Sequence, residues 1–217
     1  MNEILDSHDG YSKEISKEFF RNVYGYMFTA LGISGVIAYW AGSTPGFFEY
    51  FITETGGISP LFYVIMFAPV GIALLIQMAY QRLSFGVLMI GFLGYAALMG
   101  LSLSTIFLAY STSQIAITFF VTAGAFGGMA ILGYTTKTDL TKMGSLLYMV
   151  FIGMFIASIA NMFIGWDGLS FLISILGVFV FTGLTAYYMQ QLKNTSTNQE
   201  LSGVDRSKLA LIGGLQL

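Results

Sequence analysis

The sequence predicts an all-α membrane protein, a polytopic helical bundle with six complete transmembrane helices and a truncated seventh. Composition is the first indication, because only 9% of the 217 residues are charged and 56% are hydrophobic, against roughly 25% and 45–50% in a soluble domain. Charge placement is the second. Eight of the charged residues lie before Val23 and five lie after Leu192. The long segment between them is therefore suited to lipid rather than to water.

The few charges of this middle segment divide it into apolar stretches of membrane-spanning length. They are Glu49, Glu54, Arg82, Lys137, Asp139, Lys142 and Asp167. A bilayer core about 30 Å thick needs roughly 20 helical residues. The stretch 83–136 is long enough for two spans and breaks at the polar run 110–114. We predict helices near 22–43, 60–80, 84–109, 114–135, 143–165 and 168–190. These runs are apolar on every face, which favours helices over the alternating pattern of a β-barrel.

The lysines and arginines all fall on one side of this arrangement. They precede the first span, lie between spans two and three and between four and five, and follow span six. Because cations are retained on the cytoplasmic side, we predict a multi-pass membrane protein with a cytoplasmic N-terminus. The predicted segments are a cytosolic tail (1–21), a six-helix transmembrane domain (22–192), a cytosolic linker (193–208) and the start of a seventh helix (209–217). The part of the tail from Tyr11 to Arg21 is either an amphipathic surface helix or loosely ordered.

The types of residue present in the chain argue against catalysis and against a nucleic-acid partner. The chain has no cysteine, and its only histidine, His8, lies in the predicted tail. Ser34, in Gly32-Ile-Ser-Gly35, matches a short intramembrane-protease pattern but has no base at membrane depth, so we interpret it as a small packing residue. We predict no enzyme activity, no cofactor and no bound metal. The formal charge of −2 indicates no nucleic-acid partner, and the partner we predict is the lipid bilayer.

Small residues at four-residue spacing predict where helices approach one another in lipid. Three such runs occur: Ala96, Gly100 and Ser104; Gly124 and Gly128; and Gly153, Ala157 and Asn161. Asn161 is the polar member. Its amide is a candidate for the ion pathway, and the alternative is an interhelical hydrogen bond with no transport role.

Three ordered motifs resemble the Bax inhibitor-1-like family, also called the transmembrane Bax inhibitor motif family, and its bacterial inner-membrane branch in particular. They are Gly133-Tyr-Thr-Thr-Lys-Thr-Asp-Leu140, Tyr95-Ala-Ala-Leu-Met-Gly-Leu-Ser-Leu-Ser-Thr-Ile-Phe107 and Gly183-Leu-Thr-Ala-Tyr-Tyr-Met-Gln-Gln-Leu-Lys-Asn194. The resemblance runs from about Tyr24 to Leu217. It implies a seven-helix bundle, of which Leu209–Leu217 resembles the opening of the last helix. It also implies a calcium channel activity, a leak governed by pH, with Ca²⁺ as the transported ion.

In that family two aspartates, in helices six and seven, share a proton and form a latch with help from an arginine. Two close carboxylates titrate as a unit, and their deprotonation would open the latch. The position that matches the helix-six aspartate, after Ala186-Tyr187, is Tyr188, and the second aspartate would fall beyond Leu217. A phenol has a pKa near 10 and binds calcium poorly. Arg82 is the candidate for the arginine, with a positive-inside anchor as the alternative; for Tyr188 the alternative is an interfacial aromatic.

Lys137 and Asp139 match the family's structural motif before helix five. A carboxylate there can cap free N–H groups at the positive end of the helix, which is the role we predict for Asp139. Two functions stay open: a pH-sensitive cation leak, and a non-conducting interaction protein that modulates a membrane-anchored ATP-dependent protease, as the resemblance to bacterial relatives implies. A substrate transporter ranks below both, because no intramembrane charge marks a binding site.

Overall fold

The computed structural model describes residues 2–53, 56–196 and 202–217, with side chains from Glu14 onward. Within these ranges the chain forms seven α-helices: α1 (Asn2–Ser43), α2 (Pro60–Ala79), α3 (Phe85–Leu103), α4 (Thr112–Thr135), α5 (Thr141–Ile164), α6 (Asp167–Ser196) and α7 (Gly203–Gln216). Two short 3-10 helices, Phe47–Phe51 and Ser104–Leu108, follow α1 and α3. The same ranges contain no strand beyond one isolated bridge between Ile52 and Ile58.

Six of these helices are long and apolar enough to cross a membrane, which confirms the predicted fold class. The helix that holds the first predicted span begins at Asn2 rather than at residue 22, and α6 continues to Ser196 rather than ending at 190. Charge spacing measures the apolar length of a segment, whereas backbone hydrogen bonding continues through polar residues. The predicted linker 193–208 thus contains the end of α6 and the start of α7. Its residues 197–201 lie outside the described residues, and so does Glu54.

The chain divides into two compact units, of which the first contains residues 1–116 and 196–217 and the second residues 117–195. In the first unit, α1, α2, α3 and α7 share one apolar core. Its buried members are Ala30, Ile76, Leu88, Phe92, Ala96, Leu211 and Ile212. The short helix α7 contributes two of them, so it packs as a core element of this unit.

Helices α1 and α3 meet through small residues. Ser34 is buried, and its Oγ donates a hydrogen bond of 2.7 Å to the carbonyl oxygen of Ala96. A methyl group on Gly100 would lie 2.6 Å from the carbonyl oxygen of Ser34. Ala96, Gly100 and Ser104 are all buried, so the small-residue run of α3 is a helix contact. In the other two predicted runs, a methyl group on Gly124, Gly128 or Gly153 would meet no described atom of another element within 4 Å.

Helix α7 is capped at its start and tightly packed at its end. Ser202 is the N-cap residue, and its side chain accepts a hydrogen bond from the backbone N–H of Asp205. The segment Ala210–Gly214 is buried. A methyl group on Gly214 would lie 3.0 Å from the carbonyl oxygen of Val23 on α1. This glycine therefore allows the backbones of α1 and α7 to approach closely.

The second unit contains most of α4 together with α5 and α6. Leu147 on α5 packs against Gly183 on α6, and the rings of Phe151 and Phe181 lie 5.7 Å apart in an edge-on arrangement. Large apolar side chains of these helices are otherwise widely exposed; Phe163, for example, is 87% exposed. Such exposure is expected where lipid tails rather than water surround the helices.

Candidate functional site

Two of the three family-like motifs meet within the second unit. Gly133 near the end of α4 faces Ala186 on α6, and a methyl group on Gly133 would lie 2.2 Å from the Ala186 carbonyl oxygen. Ala186 is fully buried. Only a residue without a side chain permits this approach of the two backbones. We call the contact region formed by residues 133–140 and 183–194 the motif junction.

Gln190 holds the loop between α4 and α5 in place. Its Oε1 accepts a hydrogen bond of 2.8 Å from the backbone N–H of Leu140, and its Nε2 donates one of 2.7 Å to the carbonyl oxygen of Thr138. A single amide side chain on α6 thus satisfies a donor and an acceptor of the loop that leads into α5. Leu140, which directly precedes α5, is itself buried. The loop therefore has a fixed register against α6.

Asp139 lies in the same loop and binds the first residue of α5. Its Oδ1 accepts hydrogen bonds from the backbone N–H of Thr141 at 2.9 Å and from the Thr141 hydroxyl at 2.6 Å. These hydrogen bonds, together with the nearby charge of Lys142, hold the pKa of the Asp139 carboxyl below its usual range. Asp139 therefore stays ionised at neutral pH. Lys137 is exposed and makes no hydrogen bond or ion pair within the described residues.

Tyr188, the candidate latch residue, is half-buried on α6 within a group of three tyrosines. Its ring centroid lies 5.5 Å from that of Tyr187 and 6.3 Å from that of Tyr148 on α5. Gly144 leaves the space for this group, because a methyl group there would lie 2.6 Å from the Tyr187 ring. The position that the family resemblance assigns to an aspartate is thus held by packed aromatic rings.

Lys193 closes the motif junction near the end of α6. Its Nζ donates a hydrogen bond of 2.7 Å to the carbonyl oxygen of Tyr134 and lies 5.0 Å from the centroid of the Tyr134 ring. A lysine near a helix C-terminus can satisfy a carbonyl group that has no partner within its own helix. Lys193 therefore joins the end of α6 to the end of α4.

Arg82, the candidate for the arginine of the latch, is not part of the motif junction. Arg82 belongs to the first unit, where it is exposed in the turn after α2 and its backbone N–H donates to the carbonyl oxygen of Ala79. Tyr188 belongs to the second unit. Neither unit by itself brings the arginine and the latch position together.

Asn161 lies in the last turn of α5, at the end of the helix away from the motif junction. Its Oδ1 accepts from the backbone N–H of Trp166 at 3.1 Å, and its Nδ2 donates to the Ser170 hydroxyl of α6 at 2.7 Å. Its carbonyl oxygen accepts from Gly165, which has a positive φ of 68°. The amide thus fastens the turn between α5 and α6, which corresponds to the interhelical alternative given for this residue.

The side chains of the motif junction connect α6 rigidly to the end of α4 and to the loop before α5. Asp139 is its one carboxylate, and that carboxylate is occupied by Thr141. No group of three metal-ligating side chains occurs among the described residues. Gln190 and Lys193, which hold the junction together, were not predicted as site residues. Both lie inside the motif Gly183–Asn194, which is the signal that could have indicated them.

Comparison with known proteins identifies relatives of this chain. The family model "Inhibitor of apoptosis-promoting Bax1" matches residues 16–217. A protein of Borreliella burgdorferi is 40% identical over 203 residues, which cover 94% of this chain and 86% of that protein. Inner membrane protein YbhL of Escherichia coli K12 is 36% identical over 202 residues, covering 92% and 84%. A protein of Caulobacter vibrioides is 38% identical over 199 residues, covering 90% and 78%.

No solved structure matches the chain. The family match extends over both units and over all three motifs, including the residues that form the motif junction. Six helices of membrane-spanning length accompany it. The chain therefore belongs to the Bax inhibitor-1-like family of membrane proteins.

Proposed function

We propose that this protein is a multi-pass inner-membrane protein that conducts a slow leak of cations, with calcium as the transported ion, and that residue 188 sets its response to pH. Family membership supports the proposal, as does the similarity to an inner membrane protein of Escherichia coli. The observation that carries the role of residue 188 is the motif junction. There the segment with the latch position is packed against the loop between α4 and α5.

Tyr188 changes what the latch can do. In the mechanism that the family resemblance implies, a carboxylate gains charge as pH rises, and the added charge opens the pathway. A tyrosine stays neutral across the physiological range. Packing of its ring against Tyr187 and Tyr148 gives the closed state a contact that does not depend on pH. The leak is therefore expected to be small and to change little between pH 6 and 8.

The proposal assigns no catalysis and no cofactor to the chain. Ser34, the one residue with a protease-like sequence context, uses its hydroxyl to donate to the Ala96 carbonyl oxygen on α3. A serine nucleophile needs a base within hydrogen-bond reach instead. Ser34 is therefore a contact residue between helices in this account.

Calcium flux from liposomes tests the proposal. The full chain is reconstituted into calcium-loaded vesicles, and an external indicator records release at pH 6, 7 and 8. We expect release above that of empty vesicles at each pH, with a shallow rise toward pH 8. Release that equals the empty-vesicle rate at all three values would overturn the proposal. A Gly128→Ala variant is a suitable control, because Gly128 has open space around it and its flux should equal the wild-type value.

A second candidate function is a non-conducting protein that restrains a membrane-anchored ATP-dependent protease. The neutral Tyr188 at the latch position favours it, since a latch without its carboxylate loses the means of sensing pH. Co-purification from native membranes in mild detergent tests this candidate. A protease that is enriched with this chain over a control membrane protein supports it, and the absence of any enriched partner removes its basis.

A further inference from the structure

An open recess lies at the end of α1, on the first unit. Here α1 ends at Ser43, and a short turn leads into the 3-10 helix Phe47–Phe51. The recess has a volume of about 570 Å³, and its lining consists of Trp40, Thr44, Pro45, Gly46, Phe47, Glu49 and Tyr50. It combines three aromatic rings with one carboxylate, and none of these residues belongs to the motif junction.

The local backbone gives this recess a defined shape. Gly46 has a φ of 78°, a left-handed conformation that glycine adopts readily. The Thr44 hydroxyl donates to the Trp40 carbonyl oxygen at 2.6 Å, and the backbone N–H of Phe47 donates to the Thr44 carbonyl oxygen at 3.2 Å. The rings of Trp40 and Phe47 stand edge-on with centroids 6.1 Å apart. The rings of Trp40 and Phe47 are thus packed against each other at the wall of the recess.

Glu49 supplies a negative charge that the protein itself does not neutralise. Its carboxylate lies over Gly46, about 3.7 Å from the point where a Cβ on that residue would be. Among the described residues Glu49 has neither an ion pair nor a side-chain hydrogen bond. No lysine or arginine occurs between Val23 and Gln81. Glu49 is exposed, so a cation that pairs with this carboxylate reaches it from outside the segment that forms the recess.

Aromatic rings that line a recess together with a single carboxylate suit an organic ammonium ion. Such a cation is attracted to the faces of tryptophan and tyrosine rings, and the attraction increases when water is displaced. Calcium, in contrast, takes six to eight oxygen ligands, and no group of three metal-ligating side chains occurs in the described part of the chain. The composition of the recess thus favours an organic cation over a metal ion.

The position of the recess indicates the source of that cation. It lies at the end of a helix long and apolar enough to span a membrane. Trp40 is 60% exposed and Tyr50 is 72% exposed. Tryptophan and tyrosine are enriched at the level of the lipid headgroups. We propose that this recess binds the primary ammonium headgroup of a membrane lipid, such as phosphatidylethanolamine, between the Glu49 carboxylate and the rings of Trp40 and Tyr50.

Fluorescence of Trp40 measures this binding directly. The chain has two tryptophans, so Trp166→Phe leaves Trp40 as the single reporter. The full chain is placed in phosphatidylglycerol nanodiscs, and phosphatidylethanolamine is added in increasing fraction. We expect a saturable change in Trp40 emission. Glu49→Gln should raise the half-saturating fraction about tenfold, the factor that corresponds to 1.4 kcal/mol. Asp167→Asn, which removes one negative charge from the start of α6, should leave the half-saturating fraction unchanged.

Two further titrations identify the ligand. Soluble ethanolamine is titrated into the phosphatidylglycerol sample, and calcium is titrated in parallel. A Glu49-dependent response to the lipid supports the proposal, and a Glu49-dependent response to ethanolamine alone assigns the same ammonium chemistry to a free amine. Equal titration curves for the wild-type residue and Glu49→Gln would overturn it, as would a response to calcium only. Native mass spectrometry of Trp40→Leu gives an independent readout, with fewer retained phosphatidylethanolamine molecules expected than for the wild-type chain.

Discussion

Gly133 shows how one missing side chain positions the candidate site. The backbones of α4 and α6 touch at this residue, where even a methyl group would lie 2.2 Å from the Ala186 carbonyl oxygen. The hydrogen bonds of Gln190 and Lys193 depend on this approach, because both side chains reach the end of α4 and its loop from the same stretch of α6. A glycine is required at this position because the two backbones lie so close together. The residue itself takes part in no chemistry.

Substitution of this glycine tests that statement. Gly133→Ala should destabilise the protein by about 1–3 kcal/mol, the typical cost of an overpacked contact. Gly128→Ala on the same helix is the matched control, since it brings the same gain in helix propensity without a clash. Thermal unfolding in detergent is the measurement. Equal or higher melting temperatures for Gly133→Ala would show that the contact tolerates a side chain.

Asp139 leads to a prediction about acid stability. Its pKa is lowered by hydrogen bonds from Thr141 and by Lys142. A carboxyl group with a lowered pKa in the folded state stabilises the fold above its ordinary pKa of about 3.9, and this contribution is lost as pH falls through the folded value. Asp139→Ala should therefore lower the melting temperature at pH 7, and the difference from wild type should shrink below pH 4. A difference that stays constant down to pH 3 would contradict this assignment, and Asp139→Asn separates capping from charge.

At the scale of elements, the loop between α4 and α5 depends on α6 for its order. Gln190 satisfies one donor and one acceptor of this loop. Gln190→Ala should leave the Leu140 N–H and the Thr138 carbonyl oxygen without these partners, at a local cost of about 1–2 kcal/mol. Hydrogen exchange at Leu140 and its neighbours should accelerate roughly 5- to 30-fold as a result.

The adjacent glutamine is the control for this experiment. Within the described part of the chain, the Gln191 side chain donates only to the Tyr187 hydroxyl on its own helix through its Nε2, so Gln191→Ala should leave exchange in the loop at the wild-type rate. Similar acceleration in both variants would indicate that the end of α6 loosens as a whole. It would then be wrong to assign the order of the loop to the Gln190 hydrogen bonds.

The elements were predictable from sequence, but the contacts between them were only partly so. Charge spacing locates the spans, because a charge inside the bilayer is costly and therefore marks the end of an apolar run. The same reasoning began the first span at residue 22 and left a helix over Tyr11–Arg21 open, whereas α1 begins at Asn2, since polar residues end a span without ending a helix. For Asn161 it left two roles open, an ion pathway and an interhelical hydrogen bond; in the structure this residue lies in the last turn of α5 and fastens the turn to α6.

Gln190 and Lys193 could not be assigned a role from the sequence for a different reason. Their partners, Thr138, Leu140 and Tyr134, lie 50 to 59 residues away along the chain. Hydrophobic periodicity indicates which face of a helix is apolar, but it carries no information about which distant backbone group a polar side chain will reach. Only the approach of α4 to α6 determines these partners.

At the scale of the whole molecule, the placement of the cations predicts its orientation in the membrane. All nine lysines and arginines fall on one predicted side. The absence of cysteine makes single-cysteine labelling a clean test. Glu49→Cys should react with an impermeant maleimide in intact spheroplasts, whereas Lys137→Cys should react only after permeabilisation. The opposite pattern would invert the proposed topology, and labelling of both from outside would contradict the assignment of spans between them.

The central claim of the proposed function is that residue 188 sets the pH response of a cation leak. The most direct measurement compares calcium release from vesicles that contain Tyr188→Asp or Tyr188→Asn between pH 6 and 8. Aromatic neighbours disfavour an ionised carboxylate at this position, so release through Tyr188→Asp should increase several-fold as pH rises. Release through Tyr188→Asn should change no more than that of the wild-type chain. The same pH response in both variants would contradict the claim that position 188 acts as the latch.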